Sequence, residues 1–179
     1  MIGKVSKVPW RSVVTAAATA AVLSPLMGVP QAAAASGAST SQEEPLRIVT
    51  FVDKCLTVRN ERSANGAPIE QYTCAGLNEQ RFTFVQVSEG RYEIKTFANR
   101  CLTVWNESIA NSALIVQDPC EGLAAQKFRI LWLGDGRVEI HTFADKCFTV
   151  RAGGTANGTL IDQYSCVNAI QQKFRIQAL

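Results

Sequence analysis

Cys55, Cys101 and Cys147 stand 46 residues apart, and Cys74, Cys120 and Cys166 keep the same step, as do Gln80, Gln126 and Gln172. The strings TFVDKCLTV, TFANRCLTV and TFADKCFTV align without a gap, and so do EQRFTF, AQKFRI and QQKFRI. Three ungapped copies require one supersecondary unit used three times.

Each unit reads as strands. RYEIKTF (91–97) and RVEIHTF (137–143) alternate apolar with polar residues and are rich in β-branched and aromatic side chains. CLTV, then PIEQY and its equivalents, then RFTFVQV supply three more short strands per copy. The connections carry turn chemistry in Asn65-Gly66, Asn157-Gly158, Ser88-Glu89-Gly90 and Gly134-Asp135-Gly136. The third copy stops at Leu179 without a final turn and strand, while LRIV (46–49) supplies that missing strand ahead of the first copy. The ends therefore complete each other as in a closed ring. Three blades fall short of a propeller, and an open solenoid would want capping repeats. The expectation is an all-β β-trefoil: three repeats (46–91, 92–137 and 138–179) of four strands, closed into a barrel under three hairpins. If all copies pair their cysteines alike, three disulfide schemes remain, one within each copy and two cyclic between copies. Pairing within each copy, one disulfide per repeat, is the simplest: Cys55–Cys74, Cys101–Cys120 and Cys147–Cys166.

The first 35 residues read differently. Lys4, Lys7 and Arg11 precede an uncharged apolar run from Val13 to Val29, and PQAAAAS offers an A-x-A cleavage site. Residues 1–35 are thus expected to be a signal peptide, 36–45 a flexible polar tail, and the product secreted, with no membrane span after cleavage. The six cysteines, all beyond the leader, suit an oxidising compartment. The leader holds three of the 18 basic residues and none of the 15 acidic ones, which leaves 15 of each sign in the remainder. A neutral domain has no electrostatic footprint for phosphate backbones, which argues against nucleic acid as a partner.

The C-L-x-V start, the aromatic-x-Cys end of the third strand and the Gln-x-aromatic fourth strand, in three copies, resemble the ricin-type β-trefoil lectin family over all of 46–179. Gln80-Arg81-Phe82, Gln126-Lys127-Phe128 and Gln172-Lys173-Phe174 stand where that family has Gln-x-Trp, a mainly structural motif. The resemblance implies one shallow sugar pocket per copy. Its elements are a carboxylate two residues after the first cysteine, a stacking aromatic two before the second, a polar group four before it, and an Asn ahead of the Gln-x-Trp. Charged acceptors and flat aromatics suit sugar hydroxyls and sugar C–H faces.

Carried over by position, the match is partial. The carboxylate position holds Thr57, Thr103 and Thr149, and Thr is also simply a good strand former. The stacking position holds Tyr72, Asp118 and Tyr164; the polar position Glu70, Val116 and Asp162; the position before the motif Glu79, Ala125 and Gln171. Candidate carbohydrate-binding residues are therefore Thr57, Glu70 and Tyr72 in the first copy, and Thr149, Asp162, Tyr164 and Gln171 in the third. The second copy should not bind. Asp53, Asn99 and Asp145 are expected in left-handed turns.

His141 is the single histidine, expected at the surface, and no phosphate loop or nucleophile elbow occurs. No catalysis, metal or cofactor is expected. The leading expectation is a secreted lectin-like protein that binds polysaccharide or glycan through repeats one and three. The alternative is a trefoil with degenerate sugar sites that binds a protein partner, as an inhibitor or toxin-associated subunit does.

Overall fold

The computed structural model describes residues 44–179; the expected leader and the tail as far as residue 43 lie outside the described residues. Twelve strands follow in chain order: β1 (Leu46–Val49), β2 (Lys54–Val58), β3 (Ala67–Thr73), β4 (Phe82–Ser88), β5 (Arg91–Thr96), β6 (Cys101–Val104), β7 (Ala113–Asp118), β8 (Arg129–Trp132), β9 (Val138–His141), β10 (Lys146–Val150), β11 (Thr159–Ser165) and β12 (Arg175–Ala178). Strands β1, β4, β5, β8, β9 and β12 pair in a closed circle. Hairpins join β4 to β5 and β8 to β9. Single bridges, Leu46 to Phe82, Tyr92 to Phe128 and Val138 to Phe174, link the remaining neighbours. Leu46–Val49 lies antiparallel on Arg175–Ala178, so the chain's end supplies the partner that its beginning lacks. Closure leaves the barrel without an exposed edge.

The other six strands form the hairpins β2–β3, β6–β7 and β10–β11. Their second strands pair with one another around a triangle, β3 with β7, β7 with β11 and β11 with β3. This is the β-trefoil read from the repeat.

The core repeats with the same step. Phe82, Phe128 and Phe174, the aromatics of the Gln-x-Phe motifs, are buried with Ile48, Ile94 and Ile140 from the barrel and Leu56, Leu102 and Phe148 from the cap. Where the third copy has Phe for Leu, the rings of Phe148 and Phe128 meet edge to face with centroids 5.0 Å apart. Asp53, Asn99 and Asp145 turn left-handed at φ 59°, 53° and 53°, as their residue type allows. One-turn 3-10 segments follow the second strand of each copy, where Asn60-Glu61, Asn106-Glu107 and Ala152-Gly153 all have positive φ. The strand pattern gave no sign of them.

Two sets of glutamines hold the copies in place. Gln80, Gln126 and Gln172 act within a copy: Nε2 donates to a backbone carbonyl (Thr73, Pro119 or Ser165), and Oε1 accepts a backbone N–H (Ala75, Glu121 or Val167). Gln71, Gln117 and Gln163, fully buried, act between copies. Nε2 of Gln71 donates to the carbonyls of Gly154 and Ala156, that of Gln117 to Arg62 and Ala64, and that of Gln163 to Ser108 and Ala110. Each copy thereby grips a loop of another, cyclically. The disulfides join Cys55 to Cys74, Cys101 to Cys120 and Cys147 to Cys166, so pairing lies within each copy.

Replacing Gln117 with Ala removes a buried amide that grips the loop carbonyls of Arg62 and Ala64 and leaves the buried Thr96 hydroxyl without its acceptor, and should cost about 2–3 kcal/mol in chemical denaturation. Removing one disulfide by a paired Cys→Ala change should cost roughly 3 kcal/mol by loop entropy. A Gln117→Ala variant with the parent's denaturation midpoint would contradict the first assignment.

Candidate functional site

Strands β2 and β3 pair Thr57 with Glu70 and Cys55 with Tyr72, and β10 and β11 likewise pair Thr149 with Asp162 and Cys147 with Tyr164. Residues two apart on a strand share a face, so each carboxylate and tyrosine lie on one side. The motif turn closes the other wall. In the first repeat, Thr57, Glu70 and Tyr72 line a pocket of about 240 Å³ with Asn60, Leu77 and Glu79. In the third, Thr149, Asp162, Tyr164 and Gln171 line one of about 380 Å³ with Arg151 and Val167. All seven candidate residues therefore line two equivalent pockets. Tyr72 and Tyr164 are 45% and 43% exposed, enough to present a ring face as a platform.

The threonines play a different part from the one their position suggests. Thr57 Oγ1 donates to the carbonyl of Cys55 and accepts from Gln80 Nε2, at 3.1 and 3.2 Å. Thr149 repeats this with Cys147 and Gln172, at 3.0 and 3.1 Å. A hydroxyl has one proton to donate, and here the scaffold takes it. Thr103 does the same in the non-matching second copy. Thr57 and Thr149 thus brace the back of the pockets they line, with the hydroxyl proton committed to a backbone carbonyl.

The carboxylates are also engaged. Arg59 Nε donates to Glu70 Oε2 at 2.6 Å, and Arg151 Nε to Asp162 Oδ2 at 2.9 Å. These arginines reach on to the carbonyls of Gly158 and Ser112 in other copies. Asp162 is buried, with Oδ1 lacking a partner among the described residues. Burial pushes its carboxyl above the ordinary Asp value, and the Arg151 bond pulls it back only in part.

The second repeat shows the pair's logic by its loss. Where the others have arginine it has Trp105, and where they have a carboxylate it has Val116. With nothing to pair, the indole lies over Gly66, where an added Cβ would sit 3.3 Å from the ring. Gly66 also has φ 72°, so both the turn and the close approach favour glycine. Asp118 stands at the tyrosine position and accepts the Gly66 N–H at 3.1 Å, and Ala125 is buried. These residues brace a neighbouring turn, and the cavity of about 740 Å³ in this repeat is lined instead by Trp105, Asn106, Ser108, Ile109 and Leu114, with Arg151 from the third.

Pocket residues absent from the candidate list include Asn60, Glu61, Leu77 and Glu79 in the first pocket and Arg151 and Val167 in the third. Glu79 is the first-copy counterpart of Gln171, so the repeat alignment already placed it there. His141 is not the free surface residue expected: its Nε2 lies 3.1 Å from Glu139 Oε2, and its ring lies beside the Cys147–Cys166 bridge. His141 with Cys147 and Cys166, and Glu93 with Cys101 and Cys120, bring ligand-type atoms together. Their sulfurs are disulfide-bonded and offer no thiolate. Among the described residues no helix is long and apolar enough to cross a membrane.

The sequence profile described as "Ricin-type beta-trefoil lectin domain" matches residues 44–131 and 90–178. No curated protein matches the chain. Among solved structures, the chain is similar to the designed 3-fold symmetric protein ThreeFoil, with 27% identity and a TM-score of 0.74 over 75% of this chain and 99% of that one. It is also similar to an exo-beta-1,3-galactanase from Clostridium thermocellum, with 25% identity and a TM-score of 0.75. That match covers 78% of this chain and 31% of the galactanase chain, so it concerns a portion of that enzyme. The Rhizoctonia solani agglutinin shares the fold at 15% identity, with a TM-score of 0.68 over 76% of this chain and 96% of its own. With a family profile spanning nearly all of the described residues and a trefoil whose Gln-x-Phe turns recur in every copy, the chain belongs to the ricin-type β-trefoil lectin domain family.

Proposed function

We propose that the protein is a secreted, non-catalytic carbohydrate-binding protein that engages glycan through its first and third repeats. The family supports carbohydrate binding in general. The observation that carries the finer reading is the pair of equivalent pockets in which an exposed tyrosine stands over a buried acid, Tyr72 with Glu70 and Tyr164 with Asp162. A ring face takes the apolar side of a sugar, and polar groups on the opposite wall take its hydroxyls. On that wall stand Glu79 in the first repeat and Gln171 in the third. The carboxylates beneath orient arginines that tie one copy to another, so pocket shape is set by the scaffold and little ordering accompanies binding. Each shallow site is weak alone, and a repeating polysaccharide that reaches both gains affinity by avidity.

A second reading, a trefoil that binds a protein partner, draws on the exposed side chains of Trp105 and Ile109 in the repeat that lacks a sugar pocket. It predicts binding that survives loss of both tyrosines.

Calorimetry with oligosaccharides should give two sites per chain, one after either Tyr72→Ala or Tyr164→Ala, and none after both. Each single change should weaken its own site about tenfold or more. Undiminished glycan binding by the double variant would overturn the assignment. The third pocket should also be acid-sensitive. Because the Asp162 carboxyl is raised, its charge is lost on acidification sooner than that of an exposed Asp, and Arg151 loses its anchor. In Tyr72→Ala protein, affinity should therefore fall at a pH above about 3.9, the ordinary Asp value, and Asp162→Asn should flatten the profile. Stability moves the opposite way. The folded state holds that proton more tightly than the unfolded chain, so the stabilising contribution is full below about pH 3.9 and is lost as pH rises through the raised value.

A further inference from the structure

The two pockets share a scaffold but differ in charge. The first is lined by three acids, Glu61, Glu70 and Glu79, with no cationic side chain in its wall. Arg59 holds Glu70 and reaches away to the Gly158 carbonyl. In the third pocket the arginine itself forms part of the wall, Gln171 replaces Glu79 and Gly153 replaces Glu61. One pocket is therefore acidic in excess by two groups, and the other is balanced by the Arg151–Asp162 pair.

Glu79 is the telling residue. It is 8% exposed, it lines the first pocket, and no hydrogen bond or ion pair reaches its carboxylate among the described residues. Its carboxylate oxygens keep access to solvent through the pocket and so are open to a ligand, whereas its counterpart Gln171 carries no charge. A ligand that brings a positive charge to this spot makes a charge-assisted bond with Glu79 that Gln171 cannot match. Tyr72, on the opposite wall, suits the apolar face of a ring.

We propose that the first-repeat pocket selects a glycan bearing a free amino group, a de-N-acetylated hexosamine unit, with Glu79 accepting its ammonium while Tyr72 stacks on the ring. The third pocket, with Gln171 and Arg151, takes neutral sugar units. This rests on the carbohydrate-binding reading of both pockets and adds a chemical class to one of them.

The test compares glucosamine oligosaccharides with their N-acetylated counterparts on the intact, disulfide-bonded protein. N-acetylation removes the charge without a change of pH. In a Tyr164→Ala background, which leaves the first pocket alone, the amine series should bind about tenfold more tightly or better. Glu79→Gln should abolish that preference. In Tyr72→Ala protein, Gln171→Glu should create the preference in the third pocket, which keeps the test valid if Glu79→Gln fails to fold. Equal binding of the two series, or a preference that survives Glu79→Gln, would overturn the proposal. So would calcium ions or a lysine peptide occupying the first pocket more tightly than the amine oligosaccharide. Oligosaccharide binding that persists at both pockets, with no amine preference at the Tyr72 pocket, would sink this inference alone. Failure of every oligosaccharide would sink the carbohydrate reading with it.

Discussion

The buried amides of Gln71, Gln117 and Gln163 are the constraint on which the rest depends. Each sits in the second strand of a cap hairpin and donates both its protons to loop carbonyls of a different copy. Those loops begin at the 3-10 turns that carry Arg59, Trp105 and Arg151, so the amides fix where these side chains start. In the first and third copies the arginine then holds the buried carboxylate behind the pocket. A buried amide without acceptors is expensive, and Gln71, Gln117 and Gln163 are fully buried, so the three grips favour one cyclic arrangement over any slipped one. The pockets inherit their shape from contacts between copies, although every lining residue but Ser112 comes from a single copy.

Much of this was legible in the sequence, because a fixed period leaves few architectures. The strand count, the ring closure by residues 46–49, the left-handed turns at Asp53, Asn99 and Asp145, and the tyrosine-bearing pockets follow from pattern and position. What was hidden depends on contacts far apart in sequence. Gln71 reads as filler between Glu70 and Tyr72 because its face of the strand looks inward, toward a loop more than 80 residues away. The Arg59–Glu70 pair spans a turn whose left-handed residues, Asn60 and Glu61, have no glycine to advertise them. The bonding of the threonines was hidden for a related reason. Position predicted a group facing a ligand, but only the hydrogen-bond partners show that the hydroxyl is committed to Cys55 and Gln80.

Threefold symmetry also explains how the copies came to differ without damage to the fold. The motif glutamines and phenylalanines carry the folding load in every copy, which leaves the pocket wall free to vary. In the second repeat the wall has become a brace, with Asp118 on a backbone N–H and Trp105 across Gly66. In the first it carries charge at Glu61 and Glu79. In the third it keeps an arginine and an amide. One frame thus holds two tyrosine pockets of unlike charge and a third face without the tyrosine and the acid.

The central claim is that ligand engages the first and third repeats and passes over the second. Amide and tyrosine-ring NMR shifts, followed as oligosaccharide is added, report on all three copies in one experiment. The account predicts shifts that saturate around Tyr72 and Glu79 and around Tyr164 and Gln171, with Asp118 and Ala125 unmoved. Shifts centred on the second repeat, or a spectrum that no oligosaccharide perturbs, would contradict it.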